Sequence, residues 1–285
     1  MLVRVNSWNE PAAGTVEAWA LRFLRCEDAV AKLRPSAPPE LADDSSWTED
    51  GVVRRLAQAA RPAAWRVVGR AEKAAKPGAL ARVEERVRML HTFAHHELQA
   101  AELFAWALLA FPETPRAFRA GLMKLLGEEL RHLALYLERL DALGARFGQH
   151  QVRDWFWQRV SACSTPLEFV ALQGIGLEGA NLEHAARWAQ LFRNVGDEES
   201  AAIITTIERE EIGHVAFARH WFEHFSGAPL SFERWSRALP SPLTPALFHG
   251  TPLNTAARSA AGLEREFLEQ LARTGPAVRP RVSAP

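Results

Sequence analysis

Glu129-Leu130-Arg131-His132 and Glu211-Ile212-Gly213-His214 are two Glu-x-x-His tetrads, each standing at almost the same distance behind a lone glutamate. Glu97 precedes Glu129 by 32 residues, and Glu178 precedes Glu211 by 33. Residues i and i+3 share one helical face, so a tetrad presents a carboxylate and an imidazole to one ion or to neighbouring ions. Composition alone supplies roughly one such tetrad in a chain of this make-up. The weight therefore rests on the upstream glutamates. A glutamate from each of two helices, plus a Glu-x-x-His from each of two more, is the ligand set of dinuclear carboxylate proteins built in helical bundles.

The surrounding sequence agrees with helices. Helical periodicity dominates and nothing reads as a set of alternating strands, so the class is all-α. The first long helix is expected over about residues 80–111 and carries Glu97. Thr114-Pro115 follows, with Thr114 suited to the N-cap and Pro115 to the first position of a second helix that stops at Gly144. Thr165-Pro166-Leu167-Glu168 is a capping box that opens the third helix, which carries Glu178 and ends near Phe192. Asp197 is the expected N-cap of the fourth, which carries Glu211 and His214 to about Phe225. The connections run short, long, short. A crossover of about 21 residues, at up to about 3.3 Å each, can travel the length of a bundle. One long crossover is the ferritin-like topology of two antiparallel hairpins.

Outside these helices, an amphipathic helix is expected over residues 15–33, broken by Pro35-Ser-Ala-Pro-Pro39. Prolines recur at 229, 240, 242, 245 and 252 before a last amphipathic segment over residues 255–273, and the residues from Thr274 onward read as a frayed tail. The expected organisation is a helical extension over residues 1–77, a four-helix bundle over 78–226 and a C-terminal wrap and helix over 227–285.

Composition excludes several classes. The chain has 285 residues and zero formal net charge, so no overall basic field recruits nucleic acid or anionic lipid. Its two cysteines, Cys26 and Cys163, form no Cys-x-x-Cys, which argues against a disulfide scaffold or a thiolate metal site and fits a reducing cytoplasm. No apolar stretch has the length or purity of a membrane span or an export signal.

Aligning Glu97 with Glu178 also pairs Glu102 with Glu183, Ala105 with Ala186 and Phe111 with Phe192, as an ancient duplication would. Glu97, Glu129, His132, Glu178, Glu211 and His214 are the expected metal ligands. Four carboxylates and two neutral imidazoles balance two divalent cations. Such mixed ligands suit iron, manganese or zinc; iron is favoured by analogy, with manganese or a mixed Mn/Fe pair as alternatives. Glu102 and Glu183 lie five residues on, about 140° around their helices, where inter-helix ion pairs are a better reading than ligation. Tyr136, four residues after His132 on the same face, is either a residue acting beside the site or a core tyrosine with a buried hydroxyl.

Met89-Leu-His-Thr-Phe-Ala-His-His-Glu-Leu-Gln-Ala100, Gly127-Glu-Glu-Leu-Arg-His132, Leu177-Glu-Gly-Ala180 and Glu210-Glu-Ile-Gly-His-Val215 resemble the bacterial ferritin-like family catalogued as domain of unknown function 455. Phe248-His-Gly-Thr-Pro-Leu-Asn254 and Ala257-Arg-Ser-Ala-Ala-Gly262 extend the resemblance into the tail. It implies a ferritin-like fold with a dinuclear metal centre at the six residues above. One departure is the Gly-Ala-Asn after Glu178, where the family pattern leads one to expect a basic residue. The leading functional expectation is an oxygen-dependent di-iron oxidase or monooxygenase on a small-molecule substrate, with an unidentified electron donor. The alternative is non-catalytic iron or manganese binding or storage. A monomer or small homo-oligomer is expected, because the additions at both ends would obstruct packing into a storage cage.

Overall fold

The computed structural model describes residues 9–48, 50–69, 77–248 and 250–275. The tail expected from Thr274 onward lies outside these residues beyond Gly275, as does His249 of the Phe248–Asn254 motif. Among the described residues the protein is all-helical, and its one β feature is an isolated bridge between Val67 and Val152. None of its helices is long and apolar enough to cross a membrane. The chain divides into two compact units, Met1–Ala162 and Cys163–Pro285.

The first unit opens with α1 (Val16–Arg25) and α2 (Ala29–Leu33). The single helix expected over residues 15–33 is thus two. Asp28 accepts from Ala31 N at 2.8 Å and starts the second, an alternative hydrogen bond that competes with continuing the first. The turn lets Lys32 fold back, so that its buried ammonium donates to Phe23 O at 2.9 Å. A 3₁₀ turn, Pro77–Ala81, then leads into α3 (Val83–Ala110). At 28 residues α3 is about 42 Å long. It packs chiefly on α4 (Arg116–Ala142), to which a five-residue connection joins it as an antiparallel hairpin. Thr114 does not cap α4: its hydroxyl donates to Phe111 O at 2.7 Å, closing the preceding turn, and Pro115 occupies the cap position.

The connection after α4 is held to α3 by His91. Its Nε2 accepts from Gly148 N at 2.8 Å, and its ring stacks on Phe147 at 4.6 Å. Gly148 sits at φ +96, and a Cβ there would lie 2.7 Å from the Trp65 ring, so no other residue fits. Burial, with the neighbouring His150 and His95, pushes His91 down to about 3. The unfolded chain, titrating near 6.5, then binds the extra proton between those values, and stability falls as pH drops through that window. Going from pH 7 to pH 5 is expected to cost about 2 kcal/mol through this one residue. Urea unfolding of wild type and His91→Gln at both pH values checks it: equal losses in the two proteins would sink the assignment. The connection ends in α5 (Trp155–Val160), anchored to α3 where Gln99 Oε1 accepts from Trp157 N at 3.2 Å.

The second unit begins at the expected capping box. Thr165 Oγ1 accepts from Glu168 N at 3.2 Å, and Glu168 Oε2 accepts from Ser164 N at 2.6 Å. The helix that follows is not uniformly α. It runs α6 (Pro166–Phe169), a nine-residue π-helix (Val170–Glu178), then α7 (Gly179–Asn194). Gly174 allows the π turn to press against the next helix, since a Cβ there would stand 2.1 Å from that of Ala218. Asp197 caps α8 (Glu198–Ser226) through Ser200 N at 3.1 Å, and Gly227 ends it in the left-handed conformation. α7 and α8 form the second antiparallel hairpin. Two such hairpins are the parts from which a ferritin-like bundle is made. The proline-rich region holds α9 (Phe232–Ala238), and the last segment splits into α10 (Thr255–Ala260), seated on α7 and α8, and α11 (Arg265–Thr274).

Candidate metal centre

Each unit brings three of the six expected ligands together. In the first, Glu97 projects from α3, and Glu129 and His132 from α4. His132 Nδ1 lies 3.5 Å from Glu129 Oε2 and 3.7 Å from Glu97 Oε2. All three residues are buried, and each offers a ligand atom within 4.8 Å of the others. In the second, Glu178 ends the π-helix, and Glu211 and His214 project from α8. His214 Nδ1 lies 3.2 Å from Glu211 Oε2 and 4.0 Å from Glu178 Oε2, again buried and within the same 4.8 Å limit. The i,i+3 register does the work in both, setting carboxylate and imidazole side by side on one helical face.

The electrostatics say what these triads need. Burial drives the Glu97 carboxyl well above its ordinary range, reinforced by the charge of Glu129 and opposed by His132. Burial also disfavours a charged His132, but Glu129 and Glu97 outweigh it and raise the imidazole to about 11. Glu129 and Glu97 thus favour a positive charge between them, which a proton on the ring can supply. The same oxygens and Nδ1 are the donor set that a divalent cation takes in place of that proton.

The glutamates five residues on serve a different purpose. Glu102 is fully buried, 2.8 Å from Lys32 Nζ and in contact with Arg61, which also reaches Asp154 at 3.2 Å. Burial pushes the Lys32 ammonium down despite the opposing pull of Glu102. Glu183 is clamped by Arg258, with Nε to Oε1 at 2.7 Å and Nη2 to Oε2 at 2.8 Å, and Asn254 N adds a third bond at 3.0 Å. Both are ion-pair anchors. They tie peripheral segments to the ligand-bearing helices.

His95 and His96 do not join the first triad. His95 Nε2 lies 3.3 Å from Asp154 Oδ1, and the His96 ring packs on Phe156 at 4.7 Å. Tyr136 is buried, its ring 5.9 Å from that of Phe93.

Two contacting residues escaped the sequence reading. Gln173 Nε2 donates to Glu178 Oε1 at 3.1 Å across the π-helix, whose i→i+5 register brings the two side chains to adjacent turns. Asn181 Nδ2 donates to Glu211 Oε1 at 3.2 Å. Asn181 belongs to the Gly-Ala-Asn run that departs from the family pattern. Beside that run, Arg258 Nη1 lies 3.1 Å from where a Gly179 Cβ would be. The amide side chains five before and three after Glu178 were the available signal.

Comparison with known proteins agrees with the motifs. The chain is 27% identical over 189 residues to an uncharacterized protein of Haemophilus influenzae, a match covering 63% of this chain and 65% of the relative. No solved structure matches. A family model described as "Protein of unknown function (DUF455)" matches residues 25–269. With both hairpins, both triads and both anchoring glutamates inside that span, the chain belongs to the DUF455 family.

Proposed function

We propose that the protein is a dinuclear metal carboxylate protein that uses iron and dioxygen to oxidise a small molecule. The observation that carries the metal reading is the recurrence of one buried triad, two carboxylate Oε2 atoms around an imidazole Nδ1, in each unit. In this reading Glu97, Glu129 and His132 hold one ion, and Glu178, Glu211 and His214 the other. Burying ionised carboxylates without a cation is unfavourable by several kcal/mol each. Two divalent ions would cancel the four carboxylate charges.

Iron, when bound, would supply the redox change that reduces dioxygen. The protein's part is to fix the ligand atoms, to keep both imidazoles deprotonated toward the metal and to exclude water. Mixed carboxylate and imidazole ligation on α-helical scaffolds favours iron or manganese over thiolate-loving ions. The small-molecule substrate and the electron donor are part of the same proposal and rest on analogy with other carboxylate-bridged helical bundles.

The test is oxygen uptake. Metal-free protein loaded with two equivalents of ferrous iron under nitrogen is expected to consume dioxygen on mixing, followed with an oxygen electrode. The Glu129→Ala/His132→Ala variant, loaded identically, is expected to lose at least nine-tenths of that rate. Iron that binds fully yet consumes no oxygen over hours favours the binding or storage role instead.

A further inference from the structure

Arg153 stands two residues before α5 and Arg159 near its end, and among the described residues neither guanidinium has a carboxylate partner. The buried arginines elsewhere do: Arg54 pairs with Asp50, Arg61 with Glu102, Arg119 with Glu17 and Arg258 with Glu183. Arg153 is half-buried, and its Nε is shielded from water with no acceptor among the described residues. A buried donor in that state is unfavourable until a partner arrives. Asp154, between the two in sequence, does not neutralise them, because its Oδ1 is shared by Arg61 at 3.2 Å and His95 at 3.3 Å.

The pair is also held in place. Arg159 lies over the Trp155 ring, 3.9 Å from its centroid, and its Nη1 donates to Trp155 O at 3.1 Å. Stacking fixes the plane of the guanidinium and leaves further N–H groups for a ligand. Burial and the charge of Arg153 both lower the Arg159 guanidinium from its ordinary value, so the two cations are close enough to repel. Their backbone is pinned to α3, where Gln99 Nε2 donates to Arg153 O at 3.4 Å and Oε1 accepts from Trp157 N. Trp155 and Phe156, both half-buried, lie 5.5 Å apart between ring centroids and give an apolar surface beside the cations.

We propose that Arg153 and Arg159 form a binding site for a small organic anion, a carboxylate or a phosphate monoester, whose apolar body rests on Trp155 and Phe156. Arginine forks take the paired oxygens of such groups through parallel N–H bonds. One anion would satisfy the stranded donor and cancel the repulsion between the two cations. The pinned backbone means that little freedom is lost on binding. The site is separate from the metal triad. Gln99 and His96, which packs on Phe156, share one face of α3, whereas Glu97 points about 100° away from His96 and about 160° from Gln99.

Full-length protein, before and after chelation, is titrated calorimetrically with inorganic phosphate, phenyl phosphate and benzoate. One equivalent of the preferred probe is expected to bind with a dissociation constant of about 1 mM or tighter, with or without metal. Phenyl phosphate should bind more tightly than inorganic phosphate, and its rank against benzoate tells a phosphate ligand from a carboxylate. Arg153→Met and Arg159→Met should each weaken binding at least about tenfold. Arg153→Lys, which keeps the charge and loses the fork, should do nearly the same. Arg146→Gln, at an exposed arginine of the same connection, should change nothing. Without anion, Arg153→Met is expected to melt no lower than wild type, since it removes a stranded donor and a repelling charge; a clearly lower melting temperature would make Arg153 a structural residue and overturn the inference. So would no binding of any probe at millimolar concentration, phenyl phosphate no tighter than inorganic phosphate, equal weakening by Arg146→Gln, or binding lost on chelation, which would put the anion on the metal.

Discussion

Chelated, verified metal-free protein is expected to melt about 10 °C or more below the metal-loaded form. An ion present at a thousand times its dissociation constant stabilises by about 4 kcal/mol, so two contribute about 8 kcal/mol. A chain of this length gains roughly 2 °C for each kcal/mol. Part of that gain is offset because the metal-free first triad is not bare: Glu129 and Glu97 favour a proton on His132, raising it to about 11. Differential scanning calorimetry on matched samples makes the comparison. Identical melting temperatures would mean that the triads are not metal sites, or that they bind ions equally well in the unfolded chain.

The second large effect lies away from the ligands. Arg258→Ala is expected to cost 3–5 kcal/mol, because it strands the buried Glu183 carboxylate without its cation. Arg258 also donates from Nη2 to Phe248 O at 3.1 Å, so the substitution loosens the turn at Phe248 from α10 as well. Replacing both partners at once should recover much of the loss, since well-packed apolar residues can replace a buried ion pair at little cost. Arg258→Met/Glu183→Leu, measured by urea unfolding beside each single variant, checks this. A cost for Arg258→Ala below about 1 kcal/mol would show that Glu183 is hydrated or protonated in the fold.

What could be read in advance was local. A tetrad at i and i+3 declares its own geometry, because the helix fixes which side chains share a face. The capping box at Thr165 and the cap at Asp197 are visible for the same reason. Lys32, Arg61 and Arg258 were not legible. Their partners stand 70, 41 and 75 residues away, and nothing in a single sequence pairs a cation with one carboxylate rather than another. The π-helix was hidden differently. Val170-Ala-Leu-Gln-Gly-Ile-Gly-Leu-Glu178 is almost wholly apolar, so its periodicity does not distinguish one hydrogen-bond register from another. Its two glycines were the cue. The split of the first helix shows a conflict between signals: apolar spacing continues past Cys26, but Asp28 offers the chain a fresh N-cap and the cap prevails.

The central claim is that each triad holds one ion, and metal stoichiometry tests it most directly. Protein loaded with iron(II) or manganese(II), desalted and analysed by plasma mass spectrometry is expected to carry two ions per chain. Glu129→Ala/His132→Ala and Glu211→Ala/His214→Ala should each retain about one, and the quadruple variant none. Wild type that retains no metal, or variants that retain as much as wild type, would contradict the account.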